Sequence, residues 1–215
     1  MSDEMTRKKR TASAPRRRSP LRAAFAAAAL LVLPSLVWPA GHAHAVSDTT
    51  PGQNMQLPDT EMVEAARSGD MQAIRRAIMR GLSPNDTGLG KVPAIIEATA
   101  GGHLEAVKYL LDNGAKPALR ARDGRTALSV AAQTGRADIA TVLLDAGADP
   151  NQTAENNDTP LMIATRAHRT NVVLVLIARK ADIEDTDITG RTALDFAEEH
   201  HFDDIATVLR KAGGN

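Results

Sequence analysis

The strongest constraint on this chain is that it repeats itself every 33 residues. The clearest unit reads Thr126-Ala127-Leu128-Ser129-Val130-Ala131-Ala132-Gln133-Thr134-Gly135. It continues through Ile139, Val142, Leu143 and Leu144 to Gly147-Ala148-Asp149-Pro150-Asn151. Shifting by 33 places the start at Thr60, Pro93, Thr126, Thr159 and Thr192. A first terminator falls at Gly69, Gly102, Gly135, His168 and His201, and a second at Gly81, Gly114, Gly147, Lys180 and Gly213. Five copies in one register predict an array in which each unit packs on its neighbours.

Each unit reads as two short helices. Thr126, Thr159 and Thr192 can cap a helix start through the hydroxyl, and Pro160 sits at the first helical position, where its missing N–H is harmless. The inner face of the first helix carries Leu128 and Ala131, then Leu161 and Ala164, then Leu194 and Ala197. Gly135 is expected to end that helix in a left-handed conformation. The second helix has Ile139, Val142 and Leu143 at helical spacing, repeated as Val172, Val175 and Leu176 and as Ile205, Val208 and Leu209. Such faces are covered only by the next pair, so one repeat alone would not fold.

The period, with Thr-Pro-Leu or Thr-Ala-Leu, Ala-Ala, Gly and Gly-Ala-Asp in fixed places, resembles the ankyrin repeat from about Asp59 to the C-terminus. The resemblance implies an all-α solenoid of five helix-turn-helix repeats with hairpin-like connecting loops. The repeats cover about 59–86, 87–119, 120–152, 153–185 and 186–215. The His usual after Thr-Pro-Leu is replaced by Ser129, Met162 and Asp195, and Pro93 stands where Thr belongs. These departures are expected to weaken local capping, not the fold. Polar terminal repeats, with Glu61, Glu64, Arg67, Arg75, Arg76 and Arg80 at one end and Glu198, Glu199, Asp203, Asp204, Arg210 and Lys211 at the other, read as caps of a complete domain.

Composition agrees with close helix packing: three Phe, one Tyr and one Trp leave aliphatics and alanine to fill the core. There is no cysteine, which removes disulfides, thiolate metal sites and cysteine nucleophiles. The overall charge is zero, but residues 1–45 hold 8 of the 26 Lys and Arg and only 2 of the 26 Asp and Glu. From Val46 onward, 18 basic residues face 24 acidic ones, a net of −6 with His neutral, the wrong sign for general nucleic-acid binding.

Residues 1–45 read as a cleavable export signal. The stretch Arg7 to Arg22 includes Arg16-Arg17-Arg18; an apolar run from Ala23 to Trp38 follows, interrupted by Pro34, and Ala43-His44-Ala45 has the small-x-small pattern of a signal-peptidase site. Cleavage is expected after Ala45, leaving no membrane attachment; an uncleaved anchor is the alternative, for which the run is short. Arg17-Arg18-Ser19-Pro20-Leu21-Arg22 resembles the bacterial twin-arginine signal except at Pro20, so both the folded and the unfolded export route stay open. Either ends in the periplasm. Residues 46–58, with Ser47-Asp48-Thr49-Thr50-Pro51-Gly52-Gln53-Asn54, read as a disordered polar tether.

A fold does not specify a function, so function has to come from surfaces. In proteins of this resemblance, partners are held by hairpin tips before each repeat and by exposed positions late in the first helix. The matching protein-binding positions are Leu89, Val92, Arg122, Asp123, Arg125, Gln133, Glu155, Asn156, Asp158, Arg166, Ile188, Thr189 and Arg191, with Thr134, Glu199 and His200 beside them. A mixed surface with arginines and apolar Leu89, Val92 and Ile188 suits a specific protein partner better than a uniform polyanion. The bland alternative is that Arg125 and Asp158 pair between adjacent tips as solvated ions.

His168 and His201 occupy terminator positions, and histidine is enriched among non-glycine residues with positive φ, so they read as structural. His103 follows Gly102 as the Gly-His of ankyrin repeats and is structural by resemblance. No metal and no cofactor are expected. The chain has no Gly-x-Ser-x-Gly elbow, no His-Glu-x-x-His and no phosphate-binding glycine loop, so no enzyme is expected. Carboxylates such as Glu97, Asp145 and Asp195 recur singly and read as a solvated face.

Three functions remain open. The first is a periplasmic adaptor or protective partner of another exported protein, monomeric when free. Exported bacterial ankyrin proteins that the chain resembles have in some cases been linked with catalase function, which points to oxidative-stress defence. The second is an immunity protein that neutralises a toxic enzyme in the periplasm. The third is a secreted effector that binds host proteins.

Overall fold

The computed structural model describes residues 60–213. The expected export signal over 1–45, its cleavage point and the tether over 46–58 lie outside these residues.

Ten α-helices form five pairs among the described residues. They are α1 (Glu61–Ser68) and α2 (Met71–Met79), α3 (Ala94–Ala100) and α4 (Leu104–Asp112), α5 (Ala127–Thr134) and α6 (Ala137–Asp145), α7 (Pro160–Arg166) and α8 (Thr170–Ala178), and α9 (Ala193–Glu199) and α10 (Asp203–Ala212). The helices are too short to be stable alone, so packing must hold them. The first helices stack as α1 on α3, α3 on α5, α5 on α7 and α7 on α9, and the second helices follow in parallel order. The core runs between the two rows: Leu128, Ala131, Leu161, Ala164, Leu194 and Ala197 are buried, as are Ile139, Leu143, Val172, Leu176, Ile205 and Leu209. The alanines let neighbouring first helices approach closely, as the period implies. No helix among the described residues is long and apolar enough to cross a membrane.

Capping is stronger than the departures from the repeat pattern suggest. The Thr126 hydroxyl accepts from the Ser129 N–H at 3.1 Å, and the Thr126 N–H donates to the Ser129 hydroxyl at 2.9 Å. Asp195 does the same for Thr192, whose N–H reaches its carboxylate at 2.8 Å. Two of the three residues that replace the usual His, Ser129 and Asp195, thus complete reciprocal capping boxes, and Met162, with no polar side chain, does not. Thr159 caps with one bond, from the Met162 N–H at 3.3 Å. Capping is absent at the first two starts: neither Thr60 nor Pro93 makes a side-chain capping bond, Pro93 because it has no hydroxyl and Thr60 although it has one.

The terminators behave as the repeat register requires. Gly135 has φ 79° and, at the matching place in later repeats, His168 has φ 53° and His201 φ 57°. Lys180, which stands at a glycine position of the second terminator, has φ 61°. A Cβ built on Gly135 would lie 2.8 Å from Cδ of Arg169 in the next repeat, so side-chain crowding as well as φ selects glycine there. In the fourth repeat the terminator is His168, and the residue reaching it from the fifth is Phe202. Their rings stack with centroids 4.3 Å apart, replacing a glycine beneath a cation by two packed rings.

Hydrogen bonds between repeats fix the stack further. The Asn85 side chain accepts from the Lys116 N–H at 2.8 Å, and Asn151 accepts from the Asp182 N–H at 2.8 Å. The ring Nε2 of His103 lies 3.1 Å from the Arg67 carbonyl, which makes that histidine a bridge between repeats.

Candidate functional site

Each pair is joined to the next by a hairpin that projects before the first helix. In the first two tips, isolated antiparallel bridges join Thr87 to Pro93 and Arg120 to Thr126. The third is closed by the Ala154 N–H donating to the Asp158 carbonyl at 2.8 Å, and the fourth by the Asp187 N–H donating to the Arg191 carbonyl at 3.0 Å. Lys91, Asn156 and Asn157 take positive φ at the turns, where asparagine is readily accommodated. The backbone of the tips is therefore set before any partner arrives.

The third and fourth tips are bound to each other and to α7. The Arg166 guanidinium, at the end of α7, pairs with Asp158 of the third tip and, at 2.7 Å, with Asp187 of the fourth. Asp187 is the centre of this network. Its side chain is only 3 % exposed, and one carboxylate oxygen accepts from the Thr189 hydroxyl and N–H and from the Arg191 N–H. The Thr189 hydroxyl, these backbone donors and the Arg191 charge hold the carboxyl far below the usual range, although its burial opposes them. Arg191 also reaches Glu199 at 3.2 Å, and Arg166 lies over the Phe196 ring, 5.6 Å from its centroid.

In the second tip Arg125 binds Asp123 at 2.7 Å. Burial raises the Asp123 carboxyl, but the Arg125 side-chain and backbone bonds outweigh it and the net direction is down. The expected Arg125–Asp158 pair between tips is therefore not formed. Arg125 is satisfied two residues away, and Asp158 is taken by Arg166.

The sequence-predicted residues thus fall into three groups. Asp123, Arg125, Asp158, Arg166, Thr189 and Arg191 build the tips and tie them together. Val92 is half-buried and packs on the core, so its apolar side chain is mainly structural, against the expectation of an exposed contact. Leu89, Arg122, Gln133, Glu155, Asn156 and Ile188 are exposed. Leu89 is 54 % exposed and Ile188 72 %. Arg122 and Glu155 form no ion pair with another described residue.

Leu89, Arg122, Glu155 and Ile188 occupy one position, four residues before Pro93, Thr126, Thr159 and Thr192. They form a row along the tips. Two shallow depressions open beside it. One, about 190 Å³, lies between the second and third tips with Gln133, Glu155 and Ile163 in its lining. The other, about 250 Å³, lies between the third and fourth tips beside Ile188. Asp158 lines both, and its Oδ1 is enclosed without a hydrogen-bond partner among the described residues.

Asp187 is the site residue that reading by period misses. Its signal was present in Asp187-Ile188-Thr189-Gly190, where a carboxylate two residues before a threonine N–H can form a side-chain turn. Among the described residues, no group of three or more His, Asp or Glu is arranged to hold a metal ion.

Comparison with known proteins gives one family. A model of three tandem ankyrin repeats matches twice, over residues 62–154 and 146–215. No curated protein matches the chain.

Proposed function

The chain belongs to the ankyrin-repeat family, and on that premise we propose that it is an exported, non-catalytic module that holds another exported protein as adaptor or protective partner. Ankyrin repeats are protein-interaction modules and the family is generally non-catalytic. The observation that carries the proposal is the row of exposed side chains at one repeat position, mounted on tips whose backbone hydrogen bonds are already made. Binding on such tips loses little conformational entropy, so specificity rests on the side chains they present.

Export to the periplasm is supported by the Arg-rich start, the apolar run and Ala43-His44-Ala45. A role in oxidative-stress defence rests on the resemblance to exported ankyrin proteins linked with catalase. The network around Asp187 changes which residues face the partner. Arg125, Arg166 and Arg191 are occupied within and between the tips, whereas Arg122, Glu155 and Ile188 are available.

The test is affinity capture from the periplasmic fraction with the chain from Val46 to Asn215 as bait. A bait carrying Arg122→Ala, Glu155→Ala and Ile188→Ala is run in parallel, with unchanged circular dichroism as its control. One captured protein lost with the triple variant supports the reading, and a captured toxic enzyme would reassign the role to immunity. Equal capture by both baits would move the site off the tips.

A further inference from the structure

The tip row has a property beyond being exposed. Read from first to fourth tip it is aliphatic, cationic, anionic, aliphatic: Leu89, Arg122, Glu155, Ile188. Read backwards, the same row is its own complement. A two-fold axis between the second and third tips would set Leu89 against Ile188 of a second copy, and Arg122 against Glu155 of that copy, each contact occurring twice. We propose that the tip row is a self-association surface and that its occupant is a second copy of this chain, docked antiparallel.

Three observations carry this. Leu89 and Ile188 are two of the four large hydrophobic side chains exposed among the described residues, and both stand in this row, at its two ends. Arg122 and Glu155 take no ion-pair partner among the described residues, whereas Arg125 pairs with Asp123 and Arg191 with Asp187 and Glu199. The four residues are spaced by the same repeat, so two rows of equal pitch can stay in register. A closed two-fold dimer is the commonest assembly of identical chains, and its interface must be self-complementary in this sense. The row replaces the expectation of a monomer by a dimer that dissociates when the tips take another partner. A single line of four tips is a small interface, so the association is transient.

The inference rests on the tips being a protein-binding surface, and it does not depend on which other protein they hold. The full chain is examined by sedimentation velocity over a concentration series at low and high salt. The wild type is expected to show a monomer–dimer equilibrium that weakens with salt. Arg122→Glu alone turns both ion pairs into like-charge contacts and is expected to weaken dimerisation roughly ten- to thirtyfold, as is Glu155→Arg alone.

Two rescues separate a specific row from a folding defect. The double variant Arg122→Glu/Glu155→Arg should dimerise again, because exchanged charges face each other across the axis. An equimolar mixture of the two single variants should form a mixed dimer. A monomeric wild type overturns the inference, and so does a dimer indifferent to both reversals or a double variant that fails to recover. A monomeric wild type whose captured partner is still lost on tip substitution would leave the protein-binding reading intact. A dimer with tip-independent capture would instead remove that reading and keep this one.

Discussion

Leu161→Ala removes a side chain from the middle of the stack. Leu161 lies in α7 with 1 % exposure, and α7 packs on α5 on one side and α9 on the other. Loss of three carbons at about 0.8 kcal/mol per buried methylene amounts to about 2.4 kcal/mol, before any cavity is counted. Rigid neighbours leave part of the space unfilled, and the expected loss is about 3 kcal/mol, within the range of about 2–5 kcal/mol for buried leucine truncation. At about 2–4 °C per kcal/mol for a domain of this size, the melting temperature should fall by roughly 6–12 °C. The assay is far-UV circular dichroism through thermal and urea unfolding, with Leu89→Ala as the paired control. Leu89 is half exposed at a tip, and its truncation should stay within about 0.5 kcal/mol. A Leu161→Ala shift below 2 °C, or equal shifts for the two variants, would refute the assignment of one leucine to the core and the other to the binding row.

The remaining expectations concern the terminator and the carboxylates. Gly135→Ala should destabilise by about 1–2 kcal/mol, since alanine is strained at its φ of 79°, and Arg169 must also move; denaturant midpoints measure it. Asp187→Ala should lower the melting temperature clearly more than Asp123→Ala, because three donors and two guanidiniums converge on Asp187. The Asp204 carboxyl is lowered to about 2 by the Thr170 hydroxyl first and His168 next. Its contribution is therefore complete above the unfolded value of 3.8 and fades as pH falls towards 2, and Asp204→Asn should flatten that part of the acid limb in urea titrations between pH 5 and 2.

What was legible in the sequence is what a period can carry. The terminators could be placed because φ above zero must recur once per turn of the pattern, and His168, Lys180 and His201 adopt it even without glycine. Core positions such as Leu128 and Leu161 followed from helical spacing and are buried. Side-chain partners were less accessible to that reasoning. Ser129 and Asp195 looked like losses because the familiar residue was missing, yet a hydroxyl or carboxylate at that position reaches back to the start of its helix. The pairing of Arg125 and Asp158 failed because a nearer carboxylate, Asp123, was two residues away. Arg166 could bridge Asp158 and Asp187 only because the end of α7 lies beside both tips, and sequence separations of 8 and 21 residues give no hint of it. Which tip charges are already paired, as Arg125 is with Asp123, depends on side-chain geometry that a period does not carry.

Partner binding is expected to run along the tip row. It is tested most directly by hydrogen exchange on the captured complex, measured against the free chain at a concentration where that chain is monomeric. Slowed exchange is expected in the tips at 87–93, 120–126, 153–159 and 186–192, with little change in α4, α6, α8 and α10. Protection confined to those second helices, with the tips exchanging as in the free chain, would contradict it.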